Sequence, residues 1–364
     1  MKVGILTLPL HINYGGILQA YALQEVLRRQ GHQIKVIDKD LRPQRIDWLY
    51  KYPQRIFLKY VLGRKIPVFY EHLFFEEYKR KMVYILPFIE TNIFRRMVHN
   101  LSEIKRDEFD VLVIGSDQIW RPSYFLTFYK NIVDAFGGFA NRLGIKCLSY
   151  AASFGVDNLE EFDRKKRKKI KKELCSFKSI SVRESNGVDL CREYFGVDAV
   201  HVLDPTLFLS KRDYEALIGN QVPVREGVMV YMLDPDSRKE QIVEKVKRQL
   251  NLSVFLTNKP GEKVQPSVEQ WLAGFRDAEM IVTDSFHACV FSIIFRKPFV
   301  VVANTDRGIS RIVSLLEIFG LQHHLVANSD QIKSVSSYEI SDDVYSVLAE
   351  WRYRSMEFLL SSLK

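Results

Sequence analysis

Short apolar runs alternate with longer stretches of helical period along most of this chain, and that alternation predicts an α/β fold. Val3–Leu8 reads as a strand. From Gly15 onward, Ile17, Leu18, Tyr21, Ala22, Leu23, Val26 and Leu27 fall on one face of a helix. Gly31 follows its end, where a left-handed stop is common. Ile34–Ile37 is the next strand, closing at Asp38. A strand, a helix and a strand in that order imply a parallel sheet. The pattern resumes at Val111–Ile114, Cys147–Ala152, Ser179–Val182 and Val200–Leu203, with helical stretches near 159–175 and 185–195.

A second series starts after a boundary expected between Ser210 and Gly227. It runs Val228–Leu233, a helix over 236–249, Val254–Leu256, a helix over 267–276, Met280–Val282, a helix after Ser285, and Phe299–Val302. The expected domains are 1–215, with an insertion at about 42–106, and 216–340; a helix in 341–364 can pack back on the first domain. Two Rossmann-like domains of this kind predict a GT-B-like arrangement with a central cleft. Helix N-termini and basic side chains can hold an anion there without a metal.

Composition narrows the picture. The 364 residues suit about two domains, and a hydrophobic content of 47% excludes a disordered chain. No apolar stretch approaches the roughly 20 residues of a membrane span, and Met1–Thr7 leads directly into a strand, so a cytoplasmic protein is expected. Cys147, Cys175, Cys191 and Cys289 are scattered, without metal-ligand spacing, and no metal is expected. The net charge is +9, and 14 Lys and Arg against 6 Asp and Glu lie between Arg42 and Arg106. That segment is also crowded with aromatic residues. It reads as an inserted helical segment that can offer a peripheral contact to a membrane surface or an anionic glycan. Arg164–Lys172 reads as a solvated helix face. Neither stretch carries a nucleic-acid motif, so nucleic acid is not an expected partner.

Four clusters sit at predicted strand ends, where open sheets bind ligands. His11-Ile-Asn-Tyr-Gly-Gly16 opens the first helix, and Asn13, Gly15 and Gly16 are candidates for an oxyanion loop or for a capped tight turn. It is neither GxGxxG nor a Walker loop. Gly115-Ser-Asp-Gln-Ile-Trp120 offers Ser116, Asp117 and Gln118 to a hydroxyl-rich ligand, with Asp117 as a cap in the plainer reading. Arg183, at the end of Ser179–Val182, suits a phosphate or carboxylate, or pairs with Glu184 at the surface. The stretch Thr283-Asp-Ser-Phe-His287 delivers a strand into a helix, with Asp284 or Ser285 as its cap. His287 then lies beside exposed N–H groups, a setting for proton transfer on a phosphorylated or carboxylated substrate, and Arg307 and Arg311 follow in the next loop. A core histidine on a capped helix is the alternative.

Together these pieces resemble the polysaccharide pyruvyl transferase family. The matching segments are Asn13–Leu23, Gly115–Trp120, Ser181–Glu184, Leu203-Asp-Pro-Thr206 and Thr283–His287, in order along nearly the whole chain. The resemblance implies a GT-B-like fold and a ketal-forming transfer of pyruvyl from phosphoenolpyruvate to a sugar of a glycan or lipid-linked saccharide, as in exopolysaccharide synthesis. Phosphoenolpyruvate would be a substrate, and no cofactor is implied. His287 matches the histidine of the family's C-terminal motif and would act as general acid or hold the leaving phosphate. Ser285-Phe-His287 stands where many members carry Arg-Leu-His, and Arg307 is the expected replacement for that arginine. A nucleotide-sugar glycosyltransferase and a non-catalytic glycan-binding protein share the same two-domain outline.

Overall fold

Five parallel strands, β1 (Lys2–Leu6), β2 (Gln33–Lys39), β3 (Arg95–Val98), β4 (Val111–Ile114) and β5 (Lys146–Ser149), form the first sheet, in the order β3-β2-β1-β4-β5. A two-stranded parallel pair follows, β6 (Ser181–Val182) with β7 (Val200–His201). The second five-stranded sheet contains β8 (Val228–Tyr231), β9 (Val254–Leu256), β10 (Met280–Thr283), β11 (Phe299–Val302) and β12 (Leu325–Val326), also all parallel, in the order β12-β11-β10-β8-β9. This is a computed structural model, and it describes residues 1–44, 50–220, 222–258, 261–304 and 308–364. The protein is α/β, with two Rossmann-like halves.

Strand order sets where chemistry can sit. In the first sheet the winding reverses between β1 and β4, and in the second between β8 and β10. At such a switch point neighbouring crossovers leave to opposite faces and open a crevice at the strands' carboxyl ends. The loops from β1 and β4 (residues 7–13 and 115–118) and from β8 and β10 (residues 232–236 and 284–285) all supply residues to one cleft. Central strands are covered on both faces and therefore read as unbroken apolar runs. All four residues of β4, β8, β10 and β11 are buried.

The halves share a core. One apolar cluster runs from Val3, Ile17 and Tyr14 of the first to Tyr231, Trp271 and Phe291 of the second. Tyr14 stacks on Trp271 with ring centroids 5.3 Å apart and donates its hydroxyl hydrogen to the Pro266 carbonyl at 2.7 Å. The helix Phe286–Phe295 is buried along its whole length, which its Phe-His-Ala-Cys-Val-Phe-Ser-Ile-Ile-Phe sequence suits.

Two features depart from the hydrophobic pattern. Arg95–Val98 lies within the expected insertion yet forms β3, the edge strand beside β2. An edge strand is covered on one side only, so it needs no apolar run; Arg95 pairs instead with Asp38 at 3.2 Å and Arg96 with Glu108 at 2.8 Å. Ser179–Val182 and Val200–Leu203 yield only the short β6–β7 pair, tied to the first half by a bridge between Ala152 and Val182. The helices Tyr52–Tyr60, Tyr70–Met82 and Leu86–Asn92 occupy the rest of the described insertion, and its residues 45–49 lie outside the described ones. The last helix, Asp342–Leu363, meets residues 201–209: Ser355 Oγ accepts from Leu203 N at 3.0 Å, and Arg352 Nη2 donates to Leu209 O at 2.9 Å. Among the described residues no helix is long and apolar enough to cross a membrane.

Candidate functional site

The first-half wall of the cleft is built around a helix start. Asn13 caps the helix Tyr14–Arg29, its Oδ1 accepting from Gly16 N at 3.1 Å, while its Nδ2 donates to Asp117 Oδ2 at 3.2 Å. Inside that helix Gln19 donates to Thr7 Oγ1 at 2.9 Å and accepts from Ser116 N at 3.1 Å, fixing the loop after β4. Asp117 adopts a left-handed φ of 49°, and its Oδ1 accepts from Gln118 N at 2.8 Å.

Asp204 is the hub behind this wall. It is buried and accepts from Ser116 Oγ at 3.2 Å, Arg183 Nη1 at 3.0 Å, Thr206 N at 3.0 Å and Thr206 Oγ1 at 2.6 Å. His287 Nε2 lies 3.6 Å from Asp204 Oδ2, and Arg183 Nη2 lies 3.5 Å from Asp117 Oδ1. Burial alone would raise the Asp204 carboxyl, but His287, Arg183 and Thr206 together hold it well below the usual carboxylate range. Asp117 is likewise depressed, because Arg183, His287 and Arg311 outweigh its burial. Arg183 stays charged: burial opposes it, and Asp204, Asp117 and Glu184 more than compensate.

From the second half, β10 ends at Thr283, and Ser285 occupies the cap position of the helix Phe286–Phe295 without a side-chain capping bond. Ser285, Phe286 and His287, at the start of this helix, line the cleft. Asp284 does other work. It accepts from Leu233 N at 2.7 Å, Asp234 N at 3.2 Å, Lys239 Nζ at 2.7 Å and Asn304 Nδ2 at 3.0 Å, tying together the loops after β8, β10 and β11. The Phe286 ring stands between two guanidiniums, 4.7 Å from Arg183 and 5.8 Å from Arg311. Burial, and then the neighbouring Arg183, push Arg311 down to about 10, so it remains a cation at neutral pH. With the Gln118 amide turned to match its neighbours, its oxygen accepts from both Nη groups of Arg311 at 3.2 Å.

These elements enclose a cleft of about 850 Å³ between the halves. Asn13, Asp117, Gln118, Ser285, His287 and Arg311 line it. Gly15, Gly16, Ser116 and Arg183 do not. Gly16 completes the Asn13 cap, and Gly15 makes room for the His287 ring, since a Cβ there would sit 2.0 Å from His287 Nδ1. Arg183 neither points into the cleft nor pairs with Glu184 at the surface; it is buried against Asp204 and Asp117, because two carboxylates offer a guanidinium more than the open cleft does. Arg307 lies outside the described residues.

A family model for polysaccharide pyruvyl transferases matches residues 13–307, which is most of the chain and includes Asn13, Asp117, Arg183, Asp204 and His287. The chain belongs to the polysaccharide pyruvyl transferase family. Curated proteins give no match. Among solved structures, a Listeria monocytogenes protein described as a candidate UDP-N-acetylglucosamine 2-epimerase superposes with a TM-score of 0.52 at 9% identity, covering 100% of this chain and 95% of that one. The S. aureus MnaA–UDP structure gives 0.50 at 11% identity, covering 100% and 96%. At such identities the likeness is one of fold, and it places this pyruvyl transferase family member among two-lobed GT-B proteins.

Two residues escaped the sequence reading of the pyruvyl transferase motifs. Asp204 was legible only as part of Asp-Pro-Thr, which signals a turn, and its Oδ1 does cap Thr206. Glu184 is buried and accepts from Ser153 Oγ at 3.0 Å, Phe154 N at 2.8 Å and Gly155 N at 3.2 Å; it holds the loop under Gln118. Neither Ser181-Val-Arg-Glu184 nor Leu203-Asp-Pro-Thr206 signals along the chain that its carboxylate is buried.

Proposed function

We propose that this protein transfers the pyruvyl group of phosphoenolpyruvate to two hydroxyls of a saccharide, forming a ketal and releasing phosphate. One observation carries the reading: His287 sits at the cleft floor against a buried carboxylate that remains ionised, with Arg311 on the same wall. His287 lines the cleft with its Nε2 3.6 Å from the Asp204 carboxylate, a placement that suits a general acid.

In this reading His287 delivers a proton to the methylene carbon of phosphoenolpyruvate, and C2 becomes oxocarbenium-like. One sugar hydroxyl attacks C2, and its proton restores the imidazolium. The second hydroxyl attacks the same carbon, the C2–O bond to phosphate breaks, and the remaining proton leaves with the phosphate. Arg311, the uncapped helix start at Ser285 and the amides of Asn13 and Gln118 would meet the donor's carboxylate and phosphate. Arg183 acts from behind as a positioning residue, keeping Asp204 ionised and facing His287.

Incubation with phosphoenolpyruvate and a panel of saccharides in D2O tests this. The expected result is inorganic phosphate together with a ketal methyl carrying deuterium. Protection of the fold by a nucleoside diphosphate but not by phosphoenolpyruvate, with no phosphate released, would sink the reading in favour of a nucleotide-sugar enzyme.

A further inference from the structure

The insertion carries a group of its apolar side chains outward, while Tyr52, Val68 and Met82 are buried. Its helices Tyr52–Tyr60 and Tyr70–Met82 meet through ring contacts and charge: the Tyr52 ring lies 5.1 Å from that of Phe69 and 6.0 Å from that of His72, Arg55 Nη2 donates to Glu71 Oε1 at 2.9 Å, and Lys51 Nζ pairs with Glu71 at 3.2 Å. Arg55 also lies 5.7 Å from the Tyr70 ring centroid. On the outside stand Phe57, Tyr60, Val61, Leu62, Leu73 and Phe74, with Tyr60 73% and Leu73 60% exposed. A helix pair ordinarily leaves fewer large apolar side chains in water. Cations frame the patch. Residues 50–84 hold eight Lys and Arg against three Asp and Glu, and Lys59, Arg64 and Lys65 are exposed beside the aromatic and aliphatic groups.

We infer that this face docks on an anionic lipid bilayer. Exposed leucine and valine gain nothing from a phosphate backbone, so a free polyanion answers only half of the surface. A second copy of the chain would set two cationic patches against each other. A bilayer with acidic headgroups answers both halves: its surface attracts the lysines and arginines, and its acyl boundary takes the apolar side chains. The face also adjoins the cleft. The carbonyl of Lys81, at the end of the second helix, accepts from Gln265 N of the second half at 3.3 Å, and Lys81 and Gln265 both line the cleft. Docking would therefore hold the cleft mouth near the membrane plane, where a saccharide carried on a lipid can reach it. That last step rests on the function proposed above; the docking itself does not.

Flotation of the full chain with phosphatidylcholine vesicles, with and without phosphatidylglycerol, tests the inference by binding alone. The protein is expected to float with the phosphatidylglycerol vesicles, to stay behind with phosphatidylcholine, and to be released from the former as salt rises. A Leu62→Ser/Leu73→Ser/Phe74→Ser variant and a Lys59→Glu/Lys65→Glu variant should each lose roughly tenfold or more of the bound fraction. All five positions are exposed, and an unchanged circular dichroism spectrum and melting temperature would show both variants folded. Failure of the wild-type chain to float, or equal flotation with both vesicle types, overturns the inference. So does flotation of both variants at the wild-type level. Dimers abolished by the serine variant, without flotation, would assign the face to a second copy instead.

Discussion

Two buried carboxylates each accept four hydrogen bonds, Asp284 in the lining of the cleft and Asp204 behind its wall, yet their cationic partners are left in different states. Around Asp284 the accounts close: Lys239 donates to both Asp284 and the Asp234 carbonyl, and Asn304 to both Asp234 and Asp284. Around Asp204 they do not. Arg183 Nε and Nη2 and His287 Nε2 are buried without a hydrogen-bond partner among the described residues. A closed polar network fixes a backbone, whereas unpartnered buried donors call for another explanation; of the two residues, His287 lines the cleft and Arg183 stands behind it. The first cluster is read as scaffold and the second as chemistry.

The comparison breaks or sharpens under substitution. His287→Ala should have the largest effect on turnover, lowering phosphate release by about 10²–10⁴-fold, while a denaturant midpoint stays near that of the parent. Asp284→Ala should act in the opposite way. It strands the Lys239 ammonium in the interior, and urea unfolding should show a loss of about 3–5 kcal/mol. If instead Asp284→Ala spared stability and His287→Ala cost several kcal/mol, the two roles would have to be exchanged. Gly15→Ala is expected next, because the added methyl meets the imidazole directly. Overpacking of this kind costs about 1–3 kcal/mol, and turnover should fall with it because the ring is displaced.

Acid provides a smaller and graded test. Asp204 and Asp117 are both depressed in the folded protein, so each contributes stability that is fully present above the ordinary carboxylate pKa near ~3.9. That contribution is lost as pH falls through the folded values. Burial also lowers His11, His201 and His324, the last to about 4, so urea midpoints should already slip as pH falls below about 6.5 and drop more steeply below about pH 4, where Asp117→Asn should flatten the decline. Smallest of all, Arg354→Ala removes only an exposed pair with Glu350 on the last helix, and a change of about 0.5 kcal/mol or less is expected in the same assay.

Much of this was legible before any fold was known. The parallel core strands announce themselves because both of their faces are covered, so Val111–Ile114 and Phe299–Val302 read without ambiguity. Arg95–Val98 escaped because an edge strand is stabilised by ion pairs with Asp38 and Glu108 that no periodicity reveals. At the site, Asn13, Asp117, Gln118, Ser285, His287 and Arg311 were visible as polar residues at strand ends. The direction of Arg183 was not, since an arginine at a strand end looks the same whether it faces a ligand or a buried carboxylate.

What the sequence determined by itself was the alternation of elements and the order of the motifs, because both arise from interactions among near neighbours and from the two-sided burial of central strands. Only the tertiary structure decided which motif residues meet. Asp117 and His287 lie far apart along the chain and converge because the reversal of strand order in each sheet aims its loops at the other, and the β6–β7 pair brings Arg183 and Asp204 in behind them. Their shared charge balance exists only once that convergence removes them from water, and no spacing along a chain encodes the loss of solvent.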